Sequence, residues 1–286
     1  MAGEVEREVP ERPGTVTSAR VTAVRGGQAL ERADRLATEE PMEIQVRGPG
    51  QEAESVAVTM RTPGHDFELA AGFLFTEGLI HSAHQIESVK YCDTDVPEQL
   101  YNVVTVILTE AFDPGTFKRN FYATSSCGVC GKASIDQVQV SCAPLAPGPV
   151  LGASVLSRLP DELRKAQRVF DQTGGLHACG LFDARGALVS VREDVGRHNA
   201  LDKLVGQMLL EERLPLSARV LQVSGRVSFE IVQKAAMAGV PIVAAVSAPS
   251  SLAVSSAREL GMTLVGFSRG DRFNMYTHEE RIDLAS

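Results

Sequence analysis

The chain has 286 residues, 44% of them hydrophobic, and a formal net charge of -8. That length and apolar content allow one large domain or two modest ones with a proper core, and they exclude a disordered chain. The acidic balance argues against a general binder of nucleic acid or of anionic membrane, so a local basic pocket would stand out.

Met1 to Arg12 mixes acids, arginines and prolines without the apolar run of a secretory signal, and residues 1–17 are assigned to a mobile tail. Met42, Ile44 and Val46, then Val56, Val58 and Met60, alternate with polar residues around Gly48-Pro49-Gly50, which predicts a β-hairpin. From Asp66, the residues Phe67, Ala70, Ala71 and Leu74 fall at helical spacing, and Gly78 is placed to stop the helix. Tyr101 to Leu108 is apolar on both faces and rich in β-branched residues, the pattern of a central strand.

Asp113 to Ser126 has no period, so the following Cys127-Gly128-Val129-Cys130-Gly131-Lys132 is expected on an exposed loop, with a helix from about Lys132. Pro160, Leu163, Ala166 and Phe170 mark another helix ending near Gly174-Gly175, and His177-Ala178-Cys179 is expected on a strand. Arg192 to Asn199 precedes a helix with Leu201, Leu204, Val205 and Met208 on its apolar face. The last third reads as β-α-β-α-β: strand Ala218 to Val223, helix Ser228 to Ala238, strand Ile242 to Val246, helix Ser251 to Leu260 and strand Thr263 to Phe267. Such crossovers imply parallel strands. Val240 to Val246 is far shorter than the roughly 20 residues of a membrane helix. Five scattered cysteines, an odd number, fit a reducing cytoplasm better than a disulfide framework.

Ligands of open parallel sheets bind where strands end. Three such ends are Ser224-Gly225-Arg226, Ser247 to Ser251, and Phe267-Ser268-Arg269-Gly270-Asp271-Arg272. Together they bring small residues, hydroxyls, arginines and an aromatic ring, the inventory for a phosphate-bearing ligand with a base. Arg197, His198 and Asn199 add groups that could bind a base edge or a phosphate or place a proton donor. Asp194 and Arg192 read as caps and solvated ends, Asp66 as a cap beside His65, and His177, Cys92, Cys142 and Cys179 as structural residues.

The Cys127/Cys130 pair is open to three chemistries: half of a zinc site, a thioredoxin-like redox pair, or sulfur transfer by a nucleophilic thiolate. Zinc wants about four ligands, and no second Cys-x-x-Cys or His-x-His completes the set. The redox pair lacks its leading strand. Sulfur transfer remains, with Lys132 and any helix end there favouring thiolate.

In these motifs the chain resembles the FdhD/NarQ family of sulfur carriers required for formate dehydrogenase activity. The resemblance runs from about Arg61 to Ile282. It is carried by Arg61-Thr62-Pro63-Gly64, by Ala70 to Phe75 and Glu77 to Ile80, and by Cys127 to Gly131. Thr173 to His177, Arg192 to Lys203, Ser224 to Ser251 and Val265 to His278 continue it. Residues before Thr17 match nothing, and Met42 to Met60 matches loosely.

The resemblance implies a sulfurtransferase that takes sulfur from a cysteine desulfurase. It would deliver that sulfur to the bis-molybdopterin guanine dinucleotide cofactor, molybdenum or tungsten, of formate dehydrogenase. Cys127 would carry the persulfide and Cys130 assist its transfer or resolution. Phe267 to Arg272 would line the guanine-nucleotide pocket. A homodimer is implied, with no metal held directly by the protein.

The implied fold is cytidine-deaminase-like α/β, with a parallel βαβαβ C-terminal portion and a mixed α+β N-terminal portion. We divide it into residues 18–118 (α+β), 119–132 (mobile cysteine loop) and 133–286 (α/β, cofactor-binding). Ser126 replaces the proline of a deaminase Pro-Cys-x-x-Cys, and no upstream His-x-Glu exists, so deamination is not expected. Cys179 departs from the small residue expected after His177-Ala178. The competing readings are a non-enzymatic chaperone that escorts the cofactor and a zinc deaminase relic.

Overall fold

The computed structural model describes residues 12–92, 96, 99–113, 142 and 144–285. Cys127, Cys130, the expected cysteine loop and the helix expected from Lys132 lie outside them. The first element is a ribbon of β1 (Val16–Arg25) and β2 (Gln28–Ala37), paired in unbroken antiparallel register around Gly26-Gly27, whose φ angles are +56° and +79°. Arginines, threonines and alanines are spread over both of its faces. It therefore carries no clean period-2 signal, and sequence patterning passes over it.

β3 (Glu40–Arg47) and β4 (Glu54–Arg61) form the expected hairpin. α1 (Asp66–Thr76) follows and stops at Gly78, whose φ of +73° is the left-handed geometry glycine adopts freely. β5 (Ile86–Tyr91) and β6 (Val103–Leu108) complete a four-stranded sheet in the order β4-β3-β6-β5. β6 is interior, as its two-sided apolar sequence requires, and parallel to β3.

β7 (Leu151–Gly152) leads into α2 (Ala153–Ala166), which contains Pro160 rather than starting there. Leu156, Leu159 and Leu163 form a buried stripe on both sides of the proline, so burial outweighs the hydrogen bond lost at its ring. The chain breaks at Gln167, and α3 (Arg168–Thr173) is a separate helix ending at left-handed Gly174. The Glu193 carboxylate accepts from Val169 N at 3.0 Å and Phe170 N at 2.8 Å, which satisfies the first amides of α3.

The remaining elements are β8 (His177–Phe182), β9 (Leu188–Asp194), α4 (Arg197–Leu210), β10 (Val220–Val223), α5 (Phe229–Met237), β11 (Ile242–Ala245), α6 (Ser251–Glu259), β12 (Thr263–Arg269), β13 (Arg272–Thr277) and β14 (Ile282–Asp283). β10, β11 and β12 are parallel neighbours, as the β-α-β-α-β pattern predicts. β8 and β13 flank them antiparallel, giving the mixed order β13-β12-β11-β10-β8-β9. The protein is thus a mixed α/β structure of several sheets.

α1 and α4 join the two larger sheets. A Cβ on Gly72 would lie 1.9 Å from the Asp202 carbonyl oxygen, and one on Gly206 1.8 Å from that of Glu68, so the helices touch backbone to backbone. One core cluster runs from Met42 and Ile44 through Leu69, Leu74, Leu204 and Met208 to Leu221 and Val243. Inside it, the Lys234 ammonium donates to Glu77 at 2.7 Å, Thr76 at 2.9 Å and Asp202 at 3.0 Å. A charge buried this deeply is tolerated because three partners replace its water.

Candidate functional site

Parallel order brings the three expected strand ends to one edge. After β10, the Ser224 amide donates to the Ala178 carbonyl at 3.0 Å and its hydroxyl accepts from Ala178 N at 2.9 Å, tying this loop to β8. Val227 bridges Pro249, with Val227 N donating to Ala248 O at 3.2 Å and Ser250 N to Val227 O at 2.9 Å. Phe267 N donates to Ser247 O at 3.2 Å, and Arg269 Nε to Val246 O at 3.3 Å. The Ser250 hydroxyl caps α6 by accepting from Ala253 N at 3.2 Å.

The third end differs from the expected loop. β12 continues through Phe267, Ser268 and Arg269, and the two residues Gly270-Asp271 turn it into β13 at Arg272. Gly270 has φ +55°, the conformation a two-residue hairpin turn demands. Phe267 is itself left-handed, at φ +54°, and 45% exposed at the edge. Such a backbone is costly for an aromatic residue and is held by its surroundings. Ser268 is fully buried, and its hydroxyl has no hydrogen-bond partner among the described residues. Arg226, Arg269 and Arg272 are exposed around this edge.

The first turn of α4 faces the same edge. His198 Nε2 lies 3.2 Å from the Ser228 hydroxyl and 3.9 Å from the Glu230 carboxylate. Burial, and then the Arg197 guanidinium, lower its pKa to about 4. His177 is shifted in the same direction by the same two causes. Its Nδ1 would lie 3.3 Å from a Cβ on Gly225, so the glycine leaves room for the ring. Two imidazoles therefore stand neutral beside a guanidinium at neutral pH. An edge of this kind offers cationic donors, backbone amides and a stacking ring to an anionic, base-bearing ligand.

A folded pKa below the unfolded value of roughly 6.5 means that the unfolded chain binds the His198 proton first. This contribution to stability is complete above about pH 6.5 and fades as pH falls towards 4. Urea midpoints measured across that window should fall more steeply for the wild type than for His198→Gln, and parallel curves would refute the linkage.

A family model for FdhD/NarQ matches residues 37–283. The chain belongs to the FdhD/NarQ family. It is 53% identical to a protein named sulfur carrier protein FdhD from Mycolicibacterium paratuberculosis, over 92% of this chain and 97% of that one. A protein of the same name from Streptomyces avermitilis is 52% identical over 95% and 97% of the two chains. One from Saccharolobus solfataricus is 43% identical over 91% and 95%. A solved structure from Desulfotalea psychrophila, described as a formate dehydrogenase accessory protein, superposes with a TM-score of 0.72 at 28% identity. It covers 94% of this chain and 100% of that one.

In this FdhD/NarQ chain, Asn199 turns inward, away from the other two residues of its motif. Its amide donates to Met60 O at 2.8 Å and to Asp194 at 3.1 Å, and its oxygen accepts from Thr59. Asp194 is no solvated helix end. It is fully buried, paired with Lys203 at 2.6 Å, and accepts from Thr62 N and Gly196 N. Arg192 is not a solvated end either, since it grips Glu68. Asp66 does not cap α1. It binds Arg61 at 3.1 Å and accepts from the Tyr91 hydroxyl at 2.9 Å.

His177, a lone histidine on a strand that reads as structural from sequence, stands beside this edge. Its neighbour Arg197 is distant in the chain. Cys179 is 2% exposed, and burial, then Asp202, push its pKa up, which opposes thiolate chemistry there. Among the described residues no group of three or more His, Cys, Asp or Glu could hold a metal ion, and no helix is long and apolar enough to cross a membrane.

Proposed function

We propose that this chain is a sulfurtransferase of the formate dehydrogenase system. It takes sulfur from a cysteine desulfurase as a persulfide on Cys127 and delivers it to bis-molybdopterin guanine dinucleotide. The observation that carries this reading is the alignment, at about half identity and over more than nine-tenths of both chains, with proteins named sulfur carrier protein FdhD. The Cys127-Gly128-Val129-Cys130 pair lies within the family match.

The chemistry balances without an outside oxidant. The Cys127 thiolate attacks the terminal sulfur of the donor persulfide, a new S–S bond forms, and the donor cysteine leaves as thiolate. Cys130 then attacks the Cys127 sulfur. A Cys127–Cys130 disulfide forms, and the terminal sulfur leaves as sulfide with the electron pair, for the cofactor. Reduction of that disulfide by a cellular dithiol resets the carrier.

The strand-end edge supports the nucleotide half of this reading. Arg226, Arg269 and Arg272 would meet the phosphates, Phe267 would stack on the guanine, and Arg197 and His198 would close the far side. A cytidine-deaminase-like topology, a homodimer and a cytoplasmic setting belong to the same reading.

Calorimetric titration with GDP tests it directly. The wild type should bind, Arg269→Ala and Arg226→Ala should each weaken binding about tenfold, as expected for one charge-assisted hydrogen bond, and Cys127→Ala should not alter it. A wild type that does not bind GDP sinks the nucleotide assignment.

A further inference from the structure

The register of the β1–β2 ribbon sorts its side chains between two faces. Leu36 stands opposite Thr17, Arg32 opposite Val21 and Leu30 opposite Ala23, so Val21, Leu30 and Leu36 share one face with Arg25 and Arg32. On that face Leu30 is 61% and Leu36 46% exposed. The body of the protein holds the other face: Arg35 donates to Gln172 of α3 at 2.9 Å, and a Cβ on Gly175 would lie 3.5 Å from that of Ala37. A two-stranded ribbon is at best marginally stable alone. This one carries Arg20, Arg25, Arg32 and Arg35 against Glu31 and Asp34, and is net positive in a chain of formal charge -8. The family match begins at residue 37, so the ribbon lies ahead of the matched body.

Position and size bear on what covers the open face. Thr38 N donates to Thr15 O at 3.0 Å and closes the ribbon at its root. That root sits at the strand-end edge, because Gly175, against which Ala37 rests, leads into His177, and His177 packs at Gly225 after β10. A partner seated on the ribbon is therefore brought to the edge where Ser224, Gly225 and Arg226 stand. Strands of this length make a face about 33 Å long and about 10 Å wide, well under the roughly 800 Å² per partner of a stable interface. The ribbon alone is too small a seat for a second copy, whereas a partner that also covers the strand-end edge reaches the required area. Leucines set among arginines select an acidic surface with an apolar contact.

We propose that the open face of this ribbon docks the enzyme that receives the cofactor, through an acidic surface bearing an apolar contact. This inference rests on the cofactor-delivery reading above. Leu30 and Leu36 supply the desolvated contact, while Arg25 and Arg32 orient the acceptor and speed its encounter. A cofactor at the strand-end edge then faces the same partner.

The test measures binding of the full chain to immobilised formate dehydrogenase prepared without its cofactor. Leu30→Ser and the Arg25→Glu, Arg32→Glu double variant should each weaken that binding tenfold or more. Wild-type binding should also fall as salt rises, and that of the double variant should not. Sulfur loading by a cysteine desulfurase, GDP affinity and the thermal midpoint should stay at wild-type values in both variants. Apoenzyme affinities within twofold of wild type in both would overturn the proposal, as would a wild type that gains sulfur and binds GDP but not the apoenzyme. So would loss of self-association in sedimentation with apoenzyme binding intact, because the face would then belong to a second copy. A wild type that neither gains sulfur nor binds GDP defeats the delivery reading itself, whatever the ribbon binds.

Discussion

Cys127→Ala is expected to abolish sulfur loading. After incubation with a cysteine desulfurase and cysteine, intact-protein mass spectrometry should show one added sulfur on the wild type and none on the variant. Activation of formate dehydrogenase should fall by on the order of a hundredfold or more, as when a covalent nucleophile is removed. Cys130→Ala should still load, because the first attack needs one thiolate, but release sulfur slowly, because its resolving thiol is gone. An adduct confined to Cys92, Cys142 or Cys179 would remove Cys127 from its role. A Cys127→Ala, Cys130→Ala double variant that still activates formate dehydrogenase would leave the chain as a cofactor escort. Two of those other thiols have their pKa raised by burial, Cys142 moderately and Cys179 strongly, so neither competes well as a nucleophile.

The second large effect is on stability. Asp194→Ala leaves the Lys203 ammonium buried with Thr62 O at 2.7 Å as its remaining hydrogen bond. It also strips acceptors from Thr62 N, Gly196 N and the Asn199 amide. Breaking a buried pair in this way costs about 3–5 kcal/mol, a large part of the 5–15 kcal/mol typical of a folded domain. Lys203→Met should cost less, because Asp194 keeps three N–H donors. Urea denaturation of the two variants checks the order, and equal or reversed losses would show that the ion pair does not organise this corner. The damage should extend to the strand-end edge, since Asp194 and Asn199 hold the start of α4, from which Arg197 and His198 project.

Periodicity made most of the fold legible. The alternation of Met42, Ile44 and Val46, the helical spacing after Asp66 and the β-α-β-α-β pattern all correspond to observed elements. These segments bury one face or both, and burial writes itself into spacing. The β1–β2 ribbon was silent because both its faces stay largely exposed. Proline carries the weight of a helix start, whereas the stripe of Leu156, Leu159 and Leu163 sets the actual extent of the helix that contains Pro160. Gly270-Asp271 is a hairpin signal, and β13 pairs antiparallel with β12 across it.

The site divides in the same way. Residue types alone determined the chemistry on offer: two thiols spaced to work together, three arginines near strand ends, an aromatic residue between them. Those are properties of side chains and of local spacing, so they survive without coordinates. Which polar residues stand open at the strand-end edge and which hold the frame was decided by tertiary structure. Asn199 and Asp194 sit in the same motif as Arg197 and His198, yet they spend their hydrogen bonds on Met60, Thr62 and Lys203. His177 acquires its place at Gly225 through the pairing of β8 with β10. Burial and long-range pairing depend on contacts between distant segments, and local sequence does not encode them.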